Sequence, residues 1–110
     1  MSPLPSALER YLGHLRGERR LAGNTLEAYA RDAGLLQELA GERSLERLDS
    51  ADIRRFVATL HGRGQSPRTL ARVLSCWRGF YDWLARGHLV KANPCAGVKA
   101  PRAAKRLPEA

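Results

Sequence analysis

Arg68, Arg72, Ser75, Gly79 and Arg86 recur at steps of three, four or seven residues, while Leu70, Leu74, Trp77 and Tyr81 recur at steps of three or four between them. At 3.6 residues per turn the two sets fall on opposite faces of one helix. Arg78 lies on the flank of the polar face, and Asp82 is the only acid in the segment. The N-terminal half of that face is therefore basic or small. A guanidinium is a planar fork that grips phosphate oxygens or pairs bidentately with a guanine edge. Thr69 and the unpaired N–H groups of the first turn offer further donors to a phosphate oxygen. Ser75 and Gly79 leave room for a polymer backbone to come close. The chemistry on offer is recognition of a polyanion. The residues alone leave a solvated arginine face open as the alternative. On the first reading Arg68 and Arg72 project freely, so alanine at either weakens binding and leaves the melting temperature nearly unchanged. Trp77 belongs to the core, where truncation costs roughly 3–5 kcal/mol.

A weaker patch opens at Asn24 and Thr25 and continues to Arg31. Glu27, Asp32 and Glu38 are expected to share that helix's surface, so it is no general electrostatic platform. Asn24 is first a helix cap, although a capping side chain keeps its amide donor free. Arg54 and Arg55 stand close in sequence to Asp49 and Asp52, where surface ion pairing is the simpler reading. Trp83 falls off the centre of the apolar stripe and is a candidate for a protein contact. Lys99, Arg102, Lys105 and Arg106 make the C-terminal tail basic.

Charge follows the same division. Residues 1–60 carry nine Arg and nine acids, whereas residues 61–110 carry seven Arg, three Lys and two acids, so the whole excess of +8 sits in the second half. Each cation that meets a phosphate displaces a condensed counterion, which makes nucleic acid a natural partner. Catalysis has no support: no paired carboxylates, no nucleophile beside a base, no glycine-rich phosphate loop. Cys76 and Cys95 form no CxxC pair and read as unreactive thiols. With scattered His14, His61 and His88 they make no metal site. No segment is apolar over the ~20 residues that span a bilayer, and no secretory signal is evident, so a cytoplasmic protein is expected.

The elements that must position these residues are four amphipathic helices in one all-α domain. Ser6 and Glu9 form a capping box, followed by Leu8, Tyr11, Leu12 and Leu15. Asn24 opens a second helix with the apolar stripe Leu26, Tyr29, Ala30, Ala33 and Leu36, and Gly41 ends it. Asp49 caps a third, with Leu48 and Ile53 as a hydrophobic staple, and Gly62 and Gly64 stop it. Ser66 caps the fourth, Pro67 takes its first position and Gly87 its C-cap. Beyond Asn93 the tail reads as an extended basic linker.

Two of these segments resemble the core-binding domain of the tyrosine recombinase (phage-integrase-like) family. Leu21-Ala22-Gly23-Asn24-Thr25-Leu26-Glu27-Ala28-Tyr29-Ala30-Arg31-Asp32 is similar to the family's second helix, and Ser66-Pro67-Arg68-Thr69-Leu70-Ala71-Arg72-Val73-Leu74-Ser75, running to Phe80-Tyr81-Asp82-Trp83-Leu84, to its fourth. Ala92-Asn93-Pro94-Cys95-Ala96-Gly97-Val98-Lys99-Ala100-Pro101 resembles the interdomain linker, in wording closer to the XerC-type branch than to the XerD-type. Ala22, where Ser is usual, and Ala33-Gly34 depart from the pattern. The resemblance implies a compact four-helix-type SAM-like core-binding domain over residues 1–98 and a linker over 99–110, separated from its catalytic domain. It implies binding of duplex DNA by the second and fourth helices. Candidate contacts are Asn24, Thr25, Arg31, Arg68, Thr69, Arg72, Ser75, Arg78, Lys99, Arg102, Lys105 and Arg106. The family's catalytic Arg, Lys, His and Tyr match nothing here, so Tyr11, Tyr29 and Tyr81 are not its nucleophile. The whole protein would rejoin strands through a phosphotyrosine without metal, nucleotide or other cofactor. It would resolve chromosome dimers with a XerD-like partner in a tetrameric synapse at the nucleoid, the isolated domain being monomeric. A phage or transposon integrase, or a helical protein-interaction domain with an acidic partner, are the alternatives.

Overall fold

A computed structural model describes residues 6–18 and 23–101. Four α-helices form the domain: α1 (Ser6–Glu18), α2 (Gly23–Ala40), α3 (Ser50–Gly62) and α4 (Pro67–Arg86), with a 3-10 turn at Leu45–Arg47 before α3. No strand occurs among the described residues.

Local chemistry sets the boundaries. The Asp49 side chain accepts from the Asp52 N–H while the Asp52 carboxylate accepts from the Asp49 N–H, a reciprocal capping box that starts α3. The Ser66 hydroxyl accepts from the Thr69 N–H to start α4, with Pro67 first in the helix. At the end of α3 the Gly64 and Gln65 N–H groups return to His61 and Leu60 carbonyls, with Gly64 at φ 93°. That left-handed turn lets α4 restart after only four residues. The same paired bonds close α4, from His88 to Ala85 and from Leu89 to Leu84. There the left-handed residue is His88 (φ 61°), one position beyond the Gly87 cap. Asn24 lies one residue inside α2, and its side chain, like that of Ser6, is outside the described residues.

α4 packs on all three other helices. Its buried face is Leu70, Val73, Leu74, Cys76, Trp77, Phe80, Tyr81 and Leu84, as the apolar stripe predicts. The Tyr81 hydroxyl donates to the Leu45 carbonyl at 2.7 Å, fixing the 3-10 turn to α4. The Trp83 ring is only half-buried, with Tyr11 5.7 Å and His14 6.2 Å away between centroids. The Arg10 guanidinium stands 5.9 Å over it.

Two expectations need correcting. The stretch after Asn93 is not wholly extended: Cys95 and Val98 are buried with the core. The Asn93 amide donates to the Arg78 carbonyl and to Asp82, its carbonyl accepts from the Cys95 N–H, and the Ser50 hydroxyl donates to the Pro94 carbonyl. The expected stripe of α2 is also shifted. Ala30 is exposed, and the inward face carries Asp32, Ala33, Leu36 and Ala40.

Candidate nucleic-acid interface

Asp32 was expected on the surface of α2, yet it is only 1% exposed. A buried carboxylate must be paired and hydrogen-bonded, because its desolvation is otherwise prohibitive. Its partner is Arg72, 40 residues along the chain: Nε donates to Oδ2 at 3.1 Å and Nη2 to Oδ1 at 2.9 Å. The neighbouring Trp77 indole donates to the Asp32 backbone carbonyl at 2.8 Å. Together these bonds tie α2 to the middle of α4. The carboxylate holds the Arg72 pKa above its ordinary value.

The free projection expected of Arg72 is therefore corrected. One edge of its guanidinium is committed to the chain's own carboxylate, and its removal would strand a buried charge. Its side chain nevertheless remains 45% exposed. A guanidinium has five N–H donors, and side-on pairing through Nε and Nη2 leaves the Nη1–Nη2 end with three. Arg72 lines a cleft of about 560 Å³ between α2 and the start of α4, whose other polar walls are Arg31, Asp32, Glu38, Gln65 and Thr69, with Glu38 engaged by Arg63 at 3.3 Å. Gln65 had escaped notice in the sequence. The Thr69 hydroxyl accepts from Ser66 at 3.0 Å and keeps its own proton to donate.

Arg68, Ser75 and Arg31 are exposed, and Arg68 and Arg31 have no ion-pair partner among the described residues. Thr25 is half-buried near the start of α2. Arg78 differs from the expectation: it is half-buried and donates to the Val98 carbonyl at 3.1 Å, which gives it an internal role in holding the tail. Lys99 lies apart from the cleft, beside Arg54 and His61 of α3. Arg102, Lys105 and Arg106, like the Asn24 side chain, are outside the described residues. Gly79 does not serve close approach from outside, because a Cβ there would meet the Tyr11 hydroxyl at 2.6 Å. The bare backbone accommodates the chain's own tyrosine.

The surface pairing expected of Arg54 and Arg55 holds for one of them. Arg55 pairs with Asp52, which Arg43 also binds through bonds of 2.6 and 2.9 Å. No group of His, Cys, Asp and Glu suited to a metal ion occurs among the described residues. The Cys76 and Cys95 thiols are pushed up to about 12 by burial, so neither is a thiolate at neutral pH. No described helix is long and apolar enough to cross a membrane.

An all-helical domain with a partly committed arginine face on α4 is one member of a recognised class. Residues 8–88 match the phage integrase N-terminal SAM-like domain, and the chain belongs to that family. It is 50% identical to tyrosine recombinase XerC 1 of Ralstonia nicotianae over 105 residues, which is 91% of this chain and 32% of that protein. Identity to the tyrosine recombinase XerC of Xanthomonas campestris is 41%, over 94% of this chain and 33% of the relative. With that of Pseudomonas aeruginosa it is 42%, over 92% and 34%. The chain thus spans about a third of the length of these relatives. The solution structure of an integrase-like domain from Bacillus cereus superposes with a TM-score of 0.78 at 19% identity, covering 94% of this chain and 90% of that one, and shares the fold.

Proposed function

We propose that this chain is the duplex-DNA-binding module of a XerC-type tyrosine recombinase, with residues 1–98 as the core-binding domain and 99–110 as a basic linker to a catalytic domain. One observation carries the proposal: α4 turns Arg68, Ser75 and the free end of Arg72 outward beside a cleft shared with Arg31 and Thr69. The only acid on α4, Asp82, lies farther along the helix and is engaged by Asn93. The contact set is Thr25, Arg31, Arg68, Thr69, Arg72 and Ser75, with Asn24, Lys99, Arg102, Lys105 and Arg106 as flanking contacts. Arg78 supports the tail instead. In the whole protein this module would help hold duplex DNA during strand exchange that resolves chromosome dimers, with a XerD-like partner in a tetrameric synapse at the nucleoid.

Titration of the chain against a mixed-sequence duplex of about 20 base pairs tests the reading. The dissociation constant should rise steeply between about 50 and 200 mM salt, with a log–log slope of several units. Arg68→Ala should reduce that slope by about one and leave the thermal midpoint almost unmoved, since it deletes a phosphate contact on an exposed surface. Absence of duplex binding at micromolar protein and low salt would reject the proposal in favour of an acidic protein partner.

A further inference from the structure

We propose that Asp32 is a positioning residue for DNA: by gripping the Nε–Nη2 edge of Arg72 it presents the opposite end of the guanidinium as a fixed fork for one backbone phosphate in the cleft. This rests on the DNA-binding reading above and assigns a role to a residue that itself touches no DNA.

The geometry is unusual for a nucleic-acid face. An acid under a phosphate-binding arginine cancels its charge, and charge is what draws such surfaces to DNA. Yet Asp32 is buried, and its two oxygens receive the two N–H groups that define one edge of the guanidinium plane. Two-point attachment fixes the plane, whereas a free arginine holds rotamer entropy that binding must remove. Trp77 holds the Asp32 backbone, so the carboxylate itself is anchored. Arg72 lines the cleft with Arg31, Gln65 and Thr69, which can donate to the same phosphate, while the Glu38 carboxylate on its wall is paired with Arg63. Arg72 therefore contributes directed hydrogen bonds more than net charge, and Arg68 and Arg31 contribute the charge.

The sign of one substitution separates positioning from plain electrostatics. Asp32→Asn removes a negative charge from the DNA-facing side, so electrostatics alone makes binding tighter. Positioning makes it weaker, because the amide opposes an N–H to one guanidinium donor and the two-point grip is lost. The expected result is about tenfold weaker duplex binding for Asp32→Asn, measured by fluorescence anisotropy well below the melting transition, where the variant retains its helical signal. Arg72→Lys keeps the charge but has no fork, and should lose a similar factor. A core trim away from the cleft, Ile53→Val, should leave the affinity per folded molecule unchanged, which separates positioning from general destabilisation. If Asp32→Asn binds as well as the parent or better, while Arg68→Ala binds worse, Asp32 does not position Arg72 and the DNA-binding reading survives. If the parent itself fails to bind duplex, both fall together. Should Asp32→Asn not fold, Arg72→Lys decides: unchanged affinity overturns the proposal.

Discussion

Two aspartates in this domain are buried under arginines, and they are built differently. Asp52 at the start of α3 is 4% exposed and meets Arg43, Arg55 and the Asp49 N–H, all within nine residues of it. Asp32 in the middle of α2 is 1% exposed and has Arg72 as its side-chain partner, 40 residues away. The first site is local and redundant; the second is long-range and, among the described residues, depends on a single arginine. Redundancy makes a site that stabilises one helix end and tolerates loss. A sole partner makes a site where tertiary packing and the orientation of an outward-facing group are the same interaction.

The largest consequence is expected at the sole partner. Arg72→Ala leaves a buried carboxylate unpaired and should destabilise the domain by roughly 2–4 kcal/mol in urea unfolding. The lower part of the range for buried pairs applies because water can reach the half-exposed arginine side. Removing the stranded acid as well, with Asp32→Ala added to Arg72→Ala, should return part of that loss. An Arg72→Ala midpoint equal to the parent's would mean that Asp32 finds water or another partner, and the contrast between the two sites would disappear.

The same contrast explains what the sequence disclosed. Asp49 and Ser66 were readable because a cap acts within three residues of itself, whereas Asp52, which reads as a surface ion-pair partner, is the buried second half of the α3 capping box. The four helices and the buried face of α4 followed from apolar periodicity for the same reason. Asp32 was misplaced because a charge on an amphipathic helix ordinarily lies at the surface, as Glu27 and Glu38 on α2 do. A signal was present: Asp32 stands three residues after Tyr29 and four before Leu36, squarely on the stripe that faces the core. A charged residue on such a stripe requires a partner. Which arginine supplies it depends on how α2 and α4 cross, and helical spacing says nothing of that. The same limit applies to Arg78 and Gly79, whose roles are set by Val98 and Tyr11 from distant parts of the chain. Cys95 and Val98 looked like linker because a short irregular segment has no period to betray its burial.

Next in size is the acid of the redundant site. Asp52→Asn removes half of the capping box and the charge that holds two arginines, at a cost of about 1–2 kcal/mol. The cost should depend on pH. The Arg43 guanidinium, with the Asp49 N–H, holds the Asp52 carboxyl well below the usual carboxylate range. In the unfolded chain the group takes up its proton near pH 4, while the folded chain still keeps it ionised. Its contribution is therefore complete above about pH 5 and declines as the pH falls through 4 toward the depressed folded value. Stability of the parent and of Asp52→Asn should converge over that acid range in urea titrations. A difference that stays constant down to about pH 2 would show that the charge at Asp52 contributes nothing to the fold.

The smallest effect should come from removing one arginine of the redundant pair. Arg43 is half exposed, and exposed ion pairs contribute little because water screens them. After Arg43→Ala, Asp52 keeps Arg55 and the Asp49 N–H, so its buried oxygens are not left without donors. The loss should be clearly less than for Arg72→Ala although both arginines make two bonds to one aspartate. Arg43→Ala combined with Arg55→Ala should cost more than the sum of the two single changes, because only the double change strips the carboxylate of both guanidinium partners. Strict additivity of those losses would mean that neither arginine substitutes for the other, and the distinction between a redundant and a sole-partner aspartate would rest on burial alone.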